Sequence, residues 1–288
     1  MGKLAYLRRS IAGQFVRRRF HCPSCGCSNN TVVSRKYVIT QLRRCANCEL
    51  LFRTPTDDPS RNLDYYEDEY SQGFTTDLPT DESLTELIKN DFAGSEKSWA
   101  YYNDVLRRLG LDAGARIFDF GCSWGYGSYQ MARAGYSVLA FEIAPTRRRY
   151  AEQKLRVITV ADMEKGVNDP NLAGTFDCFF CAHVLEHIPS PAAVFRVACA
   201  LLRPGGVFVS FTPNGSQQAR AFFPEWEKWW GEVHPNFIDD SFLDRAFDGS
   251  PRVIGSSPVG AIDFPSKDIL GRLDDLSGEE LFFAARRK

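Results

Sequence analysis

Ile117-Phe118-Asp119-Phe120-Gly121-Cys122-Ser123-Trp124-Gly125-Tyr126-Gly127 is a short apolar run that passes into a glycine-bearing loop and then into residues compatible with a helix. An apolar run of this length bounded by glycine reads as a strand buried on both faces. Glycines directly after such a strand let the backbone approach a ligand closely at the strand's carboxyl end. The pattern continues outward. Ala115 to Phe120, Ser137 to Glu142, Arg156 to Val160, Thr175 to Cys181 and Gly206 to Thr212 read as strands. Tyr126 to Ala134, Thr146 to Leu155 and Pro191 to Leu202 read as helices between them, with a turn at Arg203-Pro204-Gly205-Gly206. Strands separated by helices indicate an α/β, doubly wound parallel sheet. Arg252 to Gly255 and Glu280 to Arg286 read as two closing antiparallel strands, and Ser83 to Leu109 as a helical approach.

A glycine loop of this kind also serves dinucleotides, so the acids around it decide the ligand. The loop lacks the G-x-G-x-x-G spacing that admits a pyrophosphate. Asp119, two residues before Gly121, can reach the amino-acid end of S-adenosylmethionine (SAM). Glu142 ends the second strand, where an acid binds ribose hydroxyls, and Asp162 follows the third, in position for an adenine amino group.

With these residues in order, the chain resembles the class I SAM-dependent methyltransferases from Asp119 to the last strand. Cys181-Ala-His183-Val-Leu-Glu186-His187-Ile188 is similar to the family segment after strand four, and Leu202-Arg-Pro-Gly-Gly206 to its turn before strand five. The resemblance implies a Rossmann-like seven-stranded sheet. It implies SAM held by Asp119, Gly121 and Gly125 at the loop, Glu142 at the ribose and Asp162 at the adenine, with Cys122, Ile143, Met163 and Cys181 beside them. Ser123 stands where the family commonly has glycine.

Toward the N-terminus, Cys22-Pro-Ser-Cys25 and Cys45-Ala-Asn-Cys48 form C-x2-C-x19-C-x2-C, the spacing of a four-cysteine zinc site. Both pairs adjoin expected hairpin strands, Thr31 to Val33 and Tyr37 to Leu42. A segment this small buries too little surface to fold alone, so a structural zinc would hold it, with no open coordination position for catalysis. Cys27 and His21 are reserve ligands. The other cysteines sit in apolar segments and suit buried thiols. The chain thus divides into a basic extension (1–20), a zinc ribbon (21–56), an acidic linker with lid helices (57–110) and the methyltransferase domain (111–288).

Net charge is −1 over 288 residues, but its distribution is polar. Eleven Lys/Arg face one acid up to Thr56, and twelve acids face Arg61 and Lys89 from Asp57 to Glu96. The two stretches either neutralise each other or let the basic end dock on something anionic, such as RNA, lipid headgroups or a phosphorylated carrier. Leu4, Leu7, Ile11 and Phe15 recur at helical spacing among arginines, a pattern that lies on a membrane surface or packs on its own protein. No apolar run reaches transmembrane length, no signal peptide is recognisable, and Tyr6 replaces the Ser/Thr of a myristoylation signal. The expected location is the cytoplasm, at most peripheral to a membrane.

Methyl transfer to oxygen or carbon needs a base, and His183 and His234 are the candidates; His187 reads as orienting its loop. No D/N-P-P-Y/F tetrapeptide follows strand four, which argues against the amino-methyltransferases of adenine or glutamine. Trp226, Trp229, Trp230, Phe222, Phe223 and Phe237 surround His234 beyond strand five. Aromatic faces there suit a sugar ring, and the ribbon followed by Tyr65, Tyr66 and Tyr70 resembles bacterial methyltransferases associated with sugars and glycans. The leading expectation is a methyltransferase acting on a sugar or glycan-like small molecule. The alternatives are an RNA methyltransferase gripping RNA with its basic ribbon and a non-catalytic SAM-binding scaffold.

Overall fold

The computed structural model describes residues 3–57, 77–163, 169–260, 271–272 and 275–288. The Tyr65, Tyr66 and Tyr70 stretch lies outside them. The chain forms two compact units. One comprises Met1–Leu63, Ala182–Arg196 and Val209–Arg286, the other Asp64–Cys181, Val197–Phe208 and Arg287–Lys288.

The first unit begins with helix α1 (Lys3–Gly13) and strands β1 (Asn30–Lys36), β2 (Thr40–Cys45) and β3 (Leu51–Thr54). The hairpin is longer than the sequence suggests, and its tip is Tyr37-Val38, both in the left-handed region at φ 53° and 63°. Tyr37, expected to open the second strand, is therefore a turn residue. Sheet order is β1-β2-β3-β9, where β9 (Asn236–Phe237) comes from the segment after strand β8 and pairs antiparallel with β3. Two residues of that distant segment thus complete the ribbon's sheet.

The second unit opens with helices α2 (Asp81–Lys89) and α3 (Ala100–Arg108). The single helical region expected from Ser83 to Leu109 is broken because Asp91 and Phe92 are left-handed. The alternation then follows: β4 (Arg116–Phe120), α4 (Tyr126–Arg133), β5 (Ser137–Phe141), α5 (Pro145–Leu155), β6 (Thr159–Val160) and β7 (Phe176–Ala182). Pro145 starts α5, where a missing N–H costs nothing, and Arg156 ends it in a left-handed cap, which shortens β6 to two residues. Stacked rings of Phe118 on Phe179 (5.4 Å) and Phe179 on Phe208 (5.7 Å) tie three strands together on one face of the sheet.

Helix α6 (Pro191–Leu201) and strand β8 (Leu202–Pro213) run through both units. The expected turn at Arg203 to Gly206 is part of β8, because Gly205 N–H donates to Arg287 O and Arg287 N–H to Gly206 O. After β8 come α7 (Gln217–Phe222), β9, α8 (Asp240–Ala246), β10 (Arg252–Ser256), β11 (Gly271–Arg272) and β12 (Glu280–Arg286). The main sheet is ordered β11-β10-β12-β8-β7-β4-β5-β6. Strands β7, β4, β5 and β6 are parallel, and β12 runs antiparallel to β10. This is the doubly wound α/β arrangement with the seven expected strands and a two-residue eighth at the edge. No helix among the described residues is long and apolar enough to cross a membrane.

Candidate functional site

The glycine loop leaves β4 with Gly121 at φ 88°, Ser123 at 53° and Gly125 at 86°. Gly121 and Cys122 N–H both donate to Phe141 O at the end of β5, at 2.9 and 3.0 Å, which folds the loop over the neighbouring strand. A Cβ at Gly125 would stand 2.7 Å from Ala151 Cβ, so glycine is required for α4 to pack on α5 as well as for its dihedral. Gly127 in turn admits the Trp99 ring, 2.8 Å from where its Cβ would be.

Two buried carboxylates meet this loop. Asp119 accepts from Ser128 Oγ at 2.5 Å, and Glu142 accepts from Ser123 N–H at 2.9 Å and Ala144 N–H at 2.8 Å. Burial raises the Asp119 pKa to about 7; the Ser128 hydrogen bond opposes the shift and the charge of Glu142 adds to it. Burial also raises Glu142, against its two backbone amides and Arg147 and Arg148. Ser123 Oγ is buried without a partner. A loop of open backbone, two acids and an orphaned hydroxyl fit the polar amino-acid and ribose parts of SAM. Cys122 and Cys181 are buried, Ile143 and Met163 half-buried, and Asp162 is exposed.

A second cluster lies in the other unit. His183 directly follows β7, left-handed at φ 54°. Its Nε2 meets Glu280 Oε1 at 2.7 Å and its Nδ1 lies 3.6 Å from Glu186 Oε1. Burial alone would lower the His183 pKa, but the two carboxylates outweigh it and hold the ring protonated well above the ordinary imidazole range. Glu280 is itself held by Ser257 Oγ. Glu186 is buried and accepts from Thr212 Oγ1 at 3.0 Å. Burial pushes its pKa up, yet His183, His187 and His234 bring it down to about 2.

His187 and His234 converge on the same carboxylate. Nδ1 of His187 lies 3.0 Å from Val233 O and Nδ1 of His234 lies 2.9 Å from Trp229 O. A carbonyl can only accept, so each Nδ1 carries a proton; for His187, burial outweighs the pull of Glu186 and lowers the pKa to about 4, which leaves its Nε2 a lone pair. The two rings stand edge to face at 4.6 Å. One ligand atom each from Glu186, His187 and His234 lie within 4.8 Å of one another, a set that could hold a divalent cation or take a proton. The sequence reading named His234 and His183, gave His187 only an orienting role and missed Glu186. The Glu186-His187 pair directly after strand four was the available signal.

The tryptophans beside His234 do not stand around an open pocket. Trp230 is 1% exposed and packs with Leu42, Leu51 and Phe237, with Trp226 and Trp229 partly buried against them. Leu42 and Leu51, on two strands of the ribbon, are covered by the indoles.

The four expected zinc ligands come together. Cys22 Sγ is 3.5 Å from Cys48 Sγ, Cys25 Sγ is 3.5 Å from Cys45 Sγ, and all four lie within 4.8 Å of one another. A tetrahedron with Zn–S bonds of about 2.3 Å has edges of about 3.8 Å, so the set fits zinc. Cys27 Sγ points instead to Asn29 O at 3.6 Å, and His21 is not in the cluster.

The sequence profile of the Methyltransferase domain family matches residues 96–250, more than half of the chain. The chain belongs to this family. The ubiquinone biosynthesis O-methyltransferase of Xanthomonas axonopodis pv. citri (strain 306) is 35% identical over 120 residues, 38% of this chain and 47% of that protein. Its counterpart from Xanthomonas euvesicatoria pv. vesicatoria (strain 85-10) is 37% identical over 128 residues, 41% and 50% of the two chains. The chain spans about half the length of the curated relatives it matches. Among solved structures, the N-methyltransferase NodS from Bradyrhizobium japonicum WM9, in complex with S-adenosyl-L-homocysteine, aligns at TM-score 0.47 and 14% identity over 80% of this chain and 99% of that one. The methyltransferase domain so identified holds the glycine loop, both of its acids, Glu186 and all three clustered histidines.

Proposed function

We propose that the protein is a SAM-dependent methyltransferase that transfers the methyl group to a hydroxyl of a small molecule, with His234 as the base and zinc held by Cys22, Cys25, Cys45 and Cys48. The observation that carries the reading is the convergence of His234, its Nδ1 held by Trp229 O, on the buried Glu186 carboxylate. Bound SAM supplies an electrophilic methyl on a sulfonium. His234 Nε2 would take the proton that the acceptor hydroxyl gives up on methylation. Glu186 stabilises the imidazolium so formed, and Trp229 O fixes the ring. His183, protonated and with both ring nitrogens turned to Glu280 and Glu186, has no lone pair for the role of base and is left a positioning one. The O-methyl transfer named in the two Xanthomonas relatives favours a hydroxyl acceptor. A sugar acceptor loses the support of stacking tryptophans, since Trp230 is packed beneath the ribbon.

The test is His234→Ala, assayed for methyl transfer from SAM to catechols and to nucleotide sugars, with and without a chelator. Single-turnover rate is expected to fall about 10²-fold or more while SAM affinity stays within about twofold. A stable, SAM-binding, fully active variant overturns the assignment of His234. Turnover of nucleotide sugars with none of catechols returns the sugar reading.

A further inference from the structure

Helix α1 is amphipathic the wrong way round for a packed helix. At about 100° per residue, Leu4, Leu7 and Ile11 fall within an arc of about 60°, Gly13 and Tyr6 lie on the far side, and Ser10 stands about 90° from the stripe's centre. The polar and small side faces the protein. Ser10 is buried, a Cβ at Gly13 would stand 2.8 Å from Pro55 Cβ, and the Tyr6 ring lies under the Arg53 guanidinium at 5.5 Å. The apolar side faces outward: Leu4 is 62% exposed, Ile11 46% and Phe15, just past the helix, 87%.

The β1–β2 hairpin extends the same surface. Gln14 Nε2, at the end of α1, donates to Ile39 O at 2.5 Å and so joins the helix to the hairpin. At the tip, Tyr37 and Val38 are each 86% exposed. Both are left-handed, which for a β-branched valine is a strained backbone. Strain that presents an aromatic and a valine to solvent calls for something to receive them.

We propose that this face docks on the surface of an anionic lipid bilayer, with the α1 stripe, Phe15 and the Tyr37-Val38 tip entering the headgroup boundary and the surrounding arginines meeting lipid phosphates. Arg8 flanks the stripe on its helix, and Arg17, Arg18 and Arg35 are exposed. The first 56 residues carry eleven basic side chains and one acid, Glu49. A nucleic acid would answer the arginines but leave the leucine and isoleucine stripe unburied. A second copy would bury the stripe but set arginines against arginines. An anionic bilayer satisfies both parts of the face. The inference is independent of the acceptor.

The experiment is sedimentation of the full chain with phosphatidylcholine vesicles, with and without about 30 mol% phosphatidylserine. Binding is expected only to the anionic vesicles and should weaken as salt rises. Arg8→Ala and Arg17→Ala should each weaken it about fivefold, and Ile11→Ser and Phe15→Ser each about tenfold or more. Zinc content, SAM affinity and melting temperature should not move. Val38→Gly is the discriminating variant: it relieves the strained turn and should raise the melting temperature while weakening vesicle binding. Equal binding to neutral vesicles, no binding at all, or unchanged binding by the apolar variants overturns the proposal. So does a loss of self-association, or of binding to single-stranded RNA, as the variants' main effect.

Discussion

Replacing Glu142 by glutamine removes a charge and keeps the shape of the side chain. In the structure one carboxylate oxygen accepts from Ser123 N–H at 2.9 Å and the other from Ala144 N–H at 2.8 Å. The glutamine oxygen can keep one of these bonds, but its NH₂ then faces the second N–H. One buried donor is orphaned, at about 1–3 kcal/mol. At about 2–4 °C per kcal/mol for a domain of this size, the melting temperature of the free protein should fall by about 2–12 °C. On the ribose role proposed for Glu142, its charge-assisted bonds to SAM are lost as well. At about 1.5–3 kcal/mol that loss raises Kd for SAM about 10- to 150-fold. Titration calorimetry with SAM, paired with thermal unfolding, reads the two effects separately. A lowered melting temperature with unchanged Kd would refute the ribose role and leave Glu142 as a brace of the glycine loop.

SAM affinity should also follow the ionisation of Asp119, whose folded pKa is raised to about 7 by burial. From about pH 4 to 7 the folded state keeps a proton that the unfolded chain releases, so the stability of the free protein declines as pH rises. The cationic amino group of SAM needs the carboxylate, so affinity rises by up to about tenfold per pH unit below 7 and then levels; a flat calorimetric profile would remove Asp119 from the site. Chelation of the ribbon metal, or Cys22→Ser, should lower turnover more than SAM affinity. Asn236 explains why: it pairs with Phe52 of the ribbon while its N–H holds Glu186 O at 3.2 Å. Metal analysis should find one zinc per chain, and unchanged turnover after its removal would break the link. Arg44→Met strips the buried Asp239 carboxylate of its guanidinium, 2.6 Å away, and should cost about 3–5 kcal/mol in denaturant unfolding, partly recovered by adding Asp239→Asn. Gly125→Ala should weaken both SAM binding and stability because its Cβ would collide with Ala151; a stable, tightly binding variant would contradict the packing described for α4.

The amino-acid order alone determined the parallel α/β core and the four-cysteine cluster. Both are local in kind. A buried parallel strand must be apolar along its length, a close backbone approach needs glycine, and two C-x-x-C turns carry their own geometry, so Ile117 to Gly127 and Cys22 to Cys48 declare themselves without their partners. The tertiary structure decided what the distant segments do. Nothing in the spacing of Trp226, Trp229 and Trp230 distinguishes an acceptor wall from a cover for Leu42 and Leu51. The pairing of β9 with β3 settles it, across more than 180 residues of chain. The same holds for Glu186, whose meaning depends not only on His183 and His187 in its own segment but on His234 and the β8 residue Thr212, which reach it from elsewhere in the chain. A carboxylate's role is set by the charges and donors around it and by its distance from water, and those are fixed only when the chain has folded.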